Sequence, residues 1–170
     1  MKKILILFMV VFITLNCTQN KKTKAQPKAE KVKTETVGNK HIRNGVVWYS
    51  NLEDAIKVAK KENKPILLQF SGSDWCRWCI KLNQEVFFTK EFADYAKDNI
   101  VLVNLDYPRS IPQSEKTRAY NEAMLRKYGI RGFPTVLLLD KNGNVVRQTG
   151  YRPGGPLEYI KHIKSTFSNK

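Results

Sequence analysis

From residue 46 onward the apolar positions fall into two patterns: near-continuous runs, and stripes that recur every three or four residues. The runs occupy residues 66–70, 100–106 and 134–140, with a shorter one at 46–49 and a partner at 145–148. Unbroken apolar runs of this length suit strands covered on both faces. The stripes are Leu52, Ala55, Ile56 and Ala59; then Ile80, Leu82, Val86 and Phe87; then Phe92, Tyr95 and Ala96; and finally Leu157, Ile160, Ile163 and Phe167. Each predicts a helix with one buried side. The boundary residues agree. Ser50 with Glu53 three residues later has capping-box spacing, Thr89 can cap a short helix, and Gly129 closes a helix over 114–128 in the left-handed conformation. Asn142-Gly143 between two apolar runs predicts a tight hairpin. The order β-α-β-α-β-α-β-β-α predicts an α/β domain with a central mixed sheet and helices on both faces, its first strands joined by right-handed crossovers.

That domain covers residues 41–170, a length that buries a single core. What precedes it is different in kind. Met1-Lys2-Lys3 leads into an apolar stretch over 4–15 that is too short to span about 30 Å of hydrocarbon, so residues 1–16 read as an export signal rather than a membrane helix. The chain then turns polar at Cys17, and the arrangement resembles a bacterial lipoprotein signal in which the cysteine becomes the lipidated first residue. Leu15 stands one place later, and Asn16 is larger, than that pattern usually has. Residues 17–40 are Lys-rich with few large apolar side chains and read as a flexible tether. The formal net charge of +15 is spread along the whole chain. It favours anionic lipid surfaces or acidic partners, or simply a well-solvated exterior. Nucleic acid fits poorly, because the basic residues are scattered, no recognition motif is present and the chain carries an export signal.

The chemistry is concentrated in Trp75-Cys76-Arg77-Trp78-Cys79, two thiols three residues apart between a predicted strand and a predicted helix. Where a helix begins at Cys76, the first sulfur lies beside unpaired N–H groups and the positive end of the helix dipole, which favours its thiolate. Arg77 adds positive charge and Asp74 opposes it. Cys76 is thus the expected nucleophile and Cys79, one turn on and facing inward, the resolving thiol. Three other uses of the spacing compete. A zinc site needs two more ligands, and only Cys17, His41 and His162 remain. Haem attachment needs His after the second Cys, where Ile80 stands. A purely structural disulfide would close too short a loop to restrict the unfolded chain much. No metal or organic cofactor is expected beyond the Cys76–Cys79 couple itself.

The dithiol after the second strand, together with Gly132-Phe133-Pro134 opening the fourth, makes residues 41–170 resemble a thioredoxin. The phrases Lys64-Pro65-Ile66-Leu67-Leu68-Gln69-Phe70, Asp74-Trp75-Cys76 through Cys79, and Glu85-Val86-Phe87 are most similar to exported thioredoxin-like proteins, including the reducing domains of envelope disulfide-transfer systems. The resemblance implies a cis peptide before Pro134 packed by the two sulfurs, a Phe133 backbone that meets the substrate chain, and Trp75, with Trp78, as a substrate-facing wall. It implies disulfide-bearing envelope proteins as clients, a membrane protein as electron donor and an envelope or periplasmic location. The chain departs from the family at Gln69, where thioredoxins carry a buried Asp that exchanges a proton with the resolving thiol. Asp74 or Glu85 is expected to take that part, unless Cys79 ionises unaided. The central pair Arg77-Trp78 replaces Gly-Pro, which leaves open whether the couple reduces, oxidises or isomerises. A binding or chaperone-like module with a permanently oxidised pair is the other reading of the same residues.

Overall fold

A computed structural model describes residues 34–37 and 39–168. The export signal, Cys17 and most of the proposed tether lie outside the described residues. The described chain forms strands β1 (Thr34–Val37), β2 (Lys40–Arg43), β3 (Val46–Tyr49), β4 (Ile66–Ser71), β5 (Val101–Asp106), β6 (Thr135–Leu139) and β7 (Val145–Thr149). Its helices are α1 (Leu52–Glu62), α2 (Arg77–Leu82), α3 (Lys90–Asn99), α4 (Glu115–Tyr128) and α5 (Gly155–Phe167), and a π-helical turn, Asn83–Phe87, prolongs α2. The strands lie in one mixed sheet in the order β1-β2-β3-β5-β4-β6-β7. β3, β5 and β4 run parallel, and β6 and β7 return antiparallel.

Alternation along the strands divides the interior in two. Ile66, Leu68 and Phe70 of β4 and Val101, Val103 and Leu105 of β5 point to one face, where Leu52, Ala55 and Ala59 of α1 and Met124 of α4 cover them. Leu67 and Leu102 point to the other, under Leu82, Val86, Phe87, Phe92, Ala96, Tyr159 and Ile163 from α2, the π turn, α3 and α5. All six residues of β4 are buried, as its unbroken run predicts.

Several details differ from the pattern-based reading. α1 is capped by Asn51, not Ser50: the Asn51 side chain accepts from the Asp54 N–H at 2.8 Å and donates back to the Asp54 carboxylate at 3.0 Å. Ser50 instead donates its hydroxyl to the Asn39 carbonyl, which ties the helix entry to the connection between β1 and β2. Within the segment 17–40, Thr34–Val37 pairs antiparallel with β2. α5 starts two residues before Leu157, on Gly154 at φ 107°, and buries Tyr159, Ile160, Ile163 and Thr166, while Leu157 is 68% exposed. The other signals hold: Thr89 caps α3, Gly129 closes α4 at φ 61°, and β6 and β7 form the hairpin, while Ser114, read as the first helical residue, is the N-cap of α4.

Candidate active site

β4 ends at Ser71, and the chain then turns sharply, with the Cys76 N–H donating to the Gly72 carbonyl at 2.9 Å. A side chain at Gly72 would come within 2.5 Å of the Trp75 indole, so glycine is what lets that ring lie against the turn. Cys76 is the N-cap of α2, and its sulfur accepts from the Cys79 N–H at 3.2 Å. Cys76 and Cys79 form a disulfide with Cα atoms 5.2 Å apart. Cys76 keeps 6% of its surface and Cys79 none. The order of exposure follows from a helix-opening and a one-turn-on position, but Cys76 is more enclosed than that position alone predicts. The aromatic residues beside it explain the setting.

Trp75, 36% exposed, packs edge-on against Phe133 at 5.7 Å and donates its indole N–H to the Tyr107 carbonyl at 2.8 Å. The Arg109 guanidinium lies 4.0 Å above the same ring. On the other flank Trp78, 53% exposed, packs on Tyr151 at 5.1 Å. The peptide bond from Phe133, the Trp75 partner, to Pro134 is cis. The end of β7 passes so close that a side chain at Gly150 would meet the Pro134 carbonyl at 2.9 Å. Trp75 with Phe133, and Trp78 with Tyr151, therefore form two aromatic contacts built on residues of the segment that carries the dithiol. Arg77 is exposed at the start of α2.

Asp74 and Glu85 are engaged elsewhere. The Asp74 carboxylate accepts from the Arg109 N–H at 3.0 Å and the Ser110 N–H at 2.6 Å, and these backbone donors hold its pKa below the usual carboxylate value. Asp106 accepts from both the N–H and the hydroxyl of Ser73. Two carboxylates thus bolt the turn before the dithiol to the loop after β5. Glu85 accepts from Lys81 at 2.5 Å and from the Tyr151 hydroxyl at 2.6 Å, and both bonds lower its pKa. The expectation that either carboxylate serves the resolving thiol finds no support in this geometry.

The group that does lie on the buried side of α2 is Asn83. It accepts from the Gln69 side-chain amide at 3.0 Å, with Gln69 1% and Asn83 8% exposed. Pattern reading passed over Asn83, although it falls four residues after Cys79, on the same side of the helix. Tyr151 and Arg109 were also missed, since their contacts with Trp78 and Trp75 join residues 73 and 34 positions apart and leave no local trace.

A thioredoxin-like domain family matches residues 52–163. The chain belongs to the thioredoxin-like family. This thioredoxin-like chain is 35% identical over 120 residues to a Chlamydia pneumoniae protein named disulfide bond reductase DsbH, covering 71% of this chain and 72% of that one. It is 31% identical over 124 residues to thioredoxin-related protein DsbJ of the same organism, spanning 69% of this chain but only 36% of that protein. A solved structure of DsbH oxidoreductase superposes with a TM-score of 0.68 at 34% identity, over 74% of this chain and 86% of that one. With these relatives the chain is a thioredoxin-like thiol:disulfide oxidoreductase.

Proposed function

We propose that this protein is exported, anchored through Cys17, and reduces disulfides in envelope proteins. In this reading the Cys76 thiolate attacks one sulfur of a client disulfide, forming a mixed disulfide while the other client sulfur leaves as a thiolate. Cys79, deprotonated, then attacks the Cys76 sulfur, which frees the second client thiolate and closes Cys76–Cys79. Two electrons pass to the client, and a membrane dithiol donor returns them by the same exchange run backwards. The observation that carries the assignment is the placement of Cys76: it caps a helix, keeps the pair's only residual solvent exposure at 6%, and its sulfur accepts the Cys79 N–H.

Phe133, at the cis peptide, offers its backbone to the client segment, and Trp75 and Trp78 form the walls on either side. Gln69 and Asn83 supply a neutral amide pair where a carboxylate would otherwise accept the resolving proton. A neutral amide cannot take up a proton near neutrality, so Cys79 loses its proton to solvent or to the departing client thiolate. Support for the reducing direction comes from the relative named a disulfide bond reductase, and support for export and anchoring from the pattern over residues 1–17.

One observation favours a different reading. Cys76 at 6% exposure gives little room to an incoming sulfur, as would suit a folding or binding module with a permanently closed pair. Insulin reduction by dithiothreitol separates the two. The oxidoreductase accelerates precipitation and loses the effect with Cys76→Ser; a binding module gives the rate of dithiothreitol alone. A reduction potential near about −270 mV would place it with reductants, and one near about −120 mV with oxidants. Cys17→Ser is expected to move the protein from the membrane fraction to the soluble one.

A further inference from the structure

Beside Trp75 the loop after β5 borders a cleft of about 360 Å³, lined by residues 108–113 and Arg118. Arg109 is its shared wall with the dithiol face, since its guanidinium covers the Trp75 ring at 4.0 Å. The polar groups facing this cleft are unequal in sign. Its two charged lining residues are Arg109 and Arg118, and neither is ion-paired among the described residues, where all five ion pairs use lysine. Of the nearby carboxylates, Asp74 is bonded to the Arg109 and Ser110 amides and Asp106 to Ser73, while Glu115 and Glu122 stand three and four positions from Arg118 on α4 with no ion pair to it. Those bonds use main-chain and hydroxyl donors, so the Arg109 and Arg118 guanidiniums have no ion pair among the described residues. Ile111, 54% exposed, adds an apolar edge.

We propose that this cleft is a client subsite for a carboxylate side chain, so that the protein prefers disulfides with Asp or Glu a few residues from the reacting cysteine. The inference rests on the oxidoreductase reading and names its substrate class. A client segment seated between Trp75 and Trp78 continues over the indole to Arg109, and its carboxylate meets two cationic forks whose planar donor geometry matches it. The occupant is a peptide segment rather than a bare anion, because the cleft adjoins the aromatic wall and the loop presents an apolar edge beside its charges.

The test uses the full chain and two peptides with the same disulfide loop, one flanked by Asp-Glu and the other by Asn-Gln, plus versions with serine for cysteine. At low salt the acidic serine peptide is expected to bind about three- to tenfold more tightly than the amide one, shifting backbone signals of residues 109–118. The ratio should fall toward one at 1 M salt, where the screening length is about 3 Å, and in Arg118→Gln, while Arg118→Lys keeps part of it. The same preference should appear in kcat/KM for the disulfide peptides. Equal binding of the two peptides, or a ratio unchanged in Arg118→Gln, overturns the proposal. So does loss of binding to phosphatidylglycerol vesicles in Arg118→Gln without any peptide preference, which would make the cleft a membrane contact. Hydroxyethyl disulfide, uncharged and too small for the cleft, tests the underlying activity alone: if it is not reduced, the oxidoreductase reading fails, and the serine peptides still decide the subsite.

Discussion

The two faces of the central sheet are built from the same two strands, yet they are different materials. On the face under α1 and α4, β4 and β5 present Ile66, Leu68, Phe70, Val101, Val103 and Leu105, all buried and all apolar. On the face under α2, the alternate residues of the same strands begin apolar, at Leu67 and Leu102, and turn polar toward the dithiol at Gln69, Ser71 and Asn104. Gln69 has its partner in Asn83, while the Ser71 hydroxyl and the Asn104 side-chain carbonyl are buried without one. Burying a polar group without a partner costs free energy, and an apolar residue would fill each of these positions. One face therefore supplies stability, and the other gives up some of it next to the chemistry.

The largest effect that sharpens this contrast is on the apolar face. Leu68→Ala, fully buried, should lower unfolding free energy by about 2–5 kcal/mol in denaturant titration, while the insulin-reduction rate per folded molecule stays unchanged. A large fall in that rate would mean that the two faces are not separable. Next comes the polar face. Gln69→Leu leaves the Asn83 carbonyl oxygen buried without its donor and should cost about 1–3 kcal/mol, and the double change Gln69→Leu with Asn83→Leu should recover much of the loss. If the single change costs nothing, the Gln69 amide is not what satisfies the buried Asn83 carbonyl oxygen.

These same faces show how much could be read in advance. The five-residue run at 66–70 announced a doubly buried strand, and the cysteine spacing announced a redox pair, because both signals are local. Thr89 and Gly129 declared their helix ends for the same reason. What escaped was set by contacts between distant parts of the chain. Asn83 acquires meaning only when Gln69 is brought to it across 14 positions, and Trp75 meets the Tyr107 carbonyl across 32. Asn51 displaced Ser50 as a cap because Ser50 was drawn to Asn39, a residue in the connection between β1 and β2. Leu157 looked like part of a buried stripe, but α5 is rotated by Tyr159, whose ring packs on Phe87 and whose hydroxyl reaches the Gly150 carbonyl.

A smaller effect concerns the turn that joins the polar face to the loop after β5. Asp74 and Glu85 have folded pKa values below their ordinary ones, so their contribution is complete above the unfolded values, about 3.9 and 4.3, and fades as pH falls through the lower folded ones. Thermal unfolding followed from pH 7 to pH 2 should therefore drop less steeply below pH 4 in Asp74→Asn than in the wild type, and the curves should converge at the acid end. Parallel curves would show that the carboxylate does not hold the loop. Smallest of all, Asp94→Ala removes the exposed pair with Lys90 and should change stability by no more than about 0.5 kcal/mol.

The division of labour between the sulfurs is tested most directly by alkylating the reduced full chain with iodoacetamide across pH 4 to 10 and mapping the label by mass. Cys76 should react first, with an apparent pKa below the usual value of about 8.5, while Cys79 stays unlabelled until the protein unfolds. Equal labelling of the two, or a Cys76 that resists the reagent at pH 7, would contradict it.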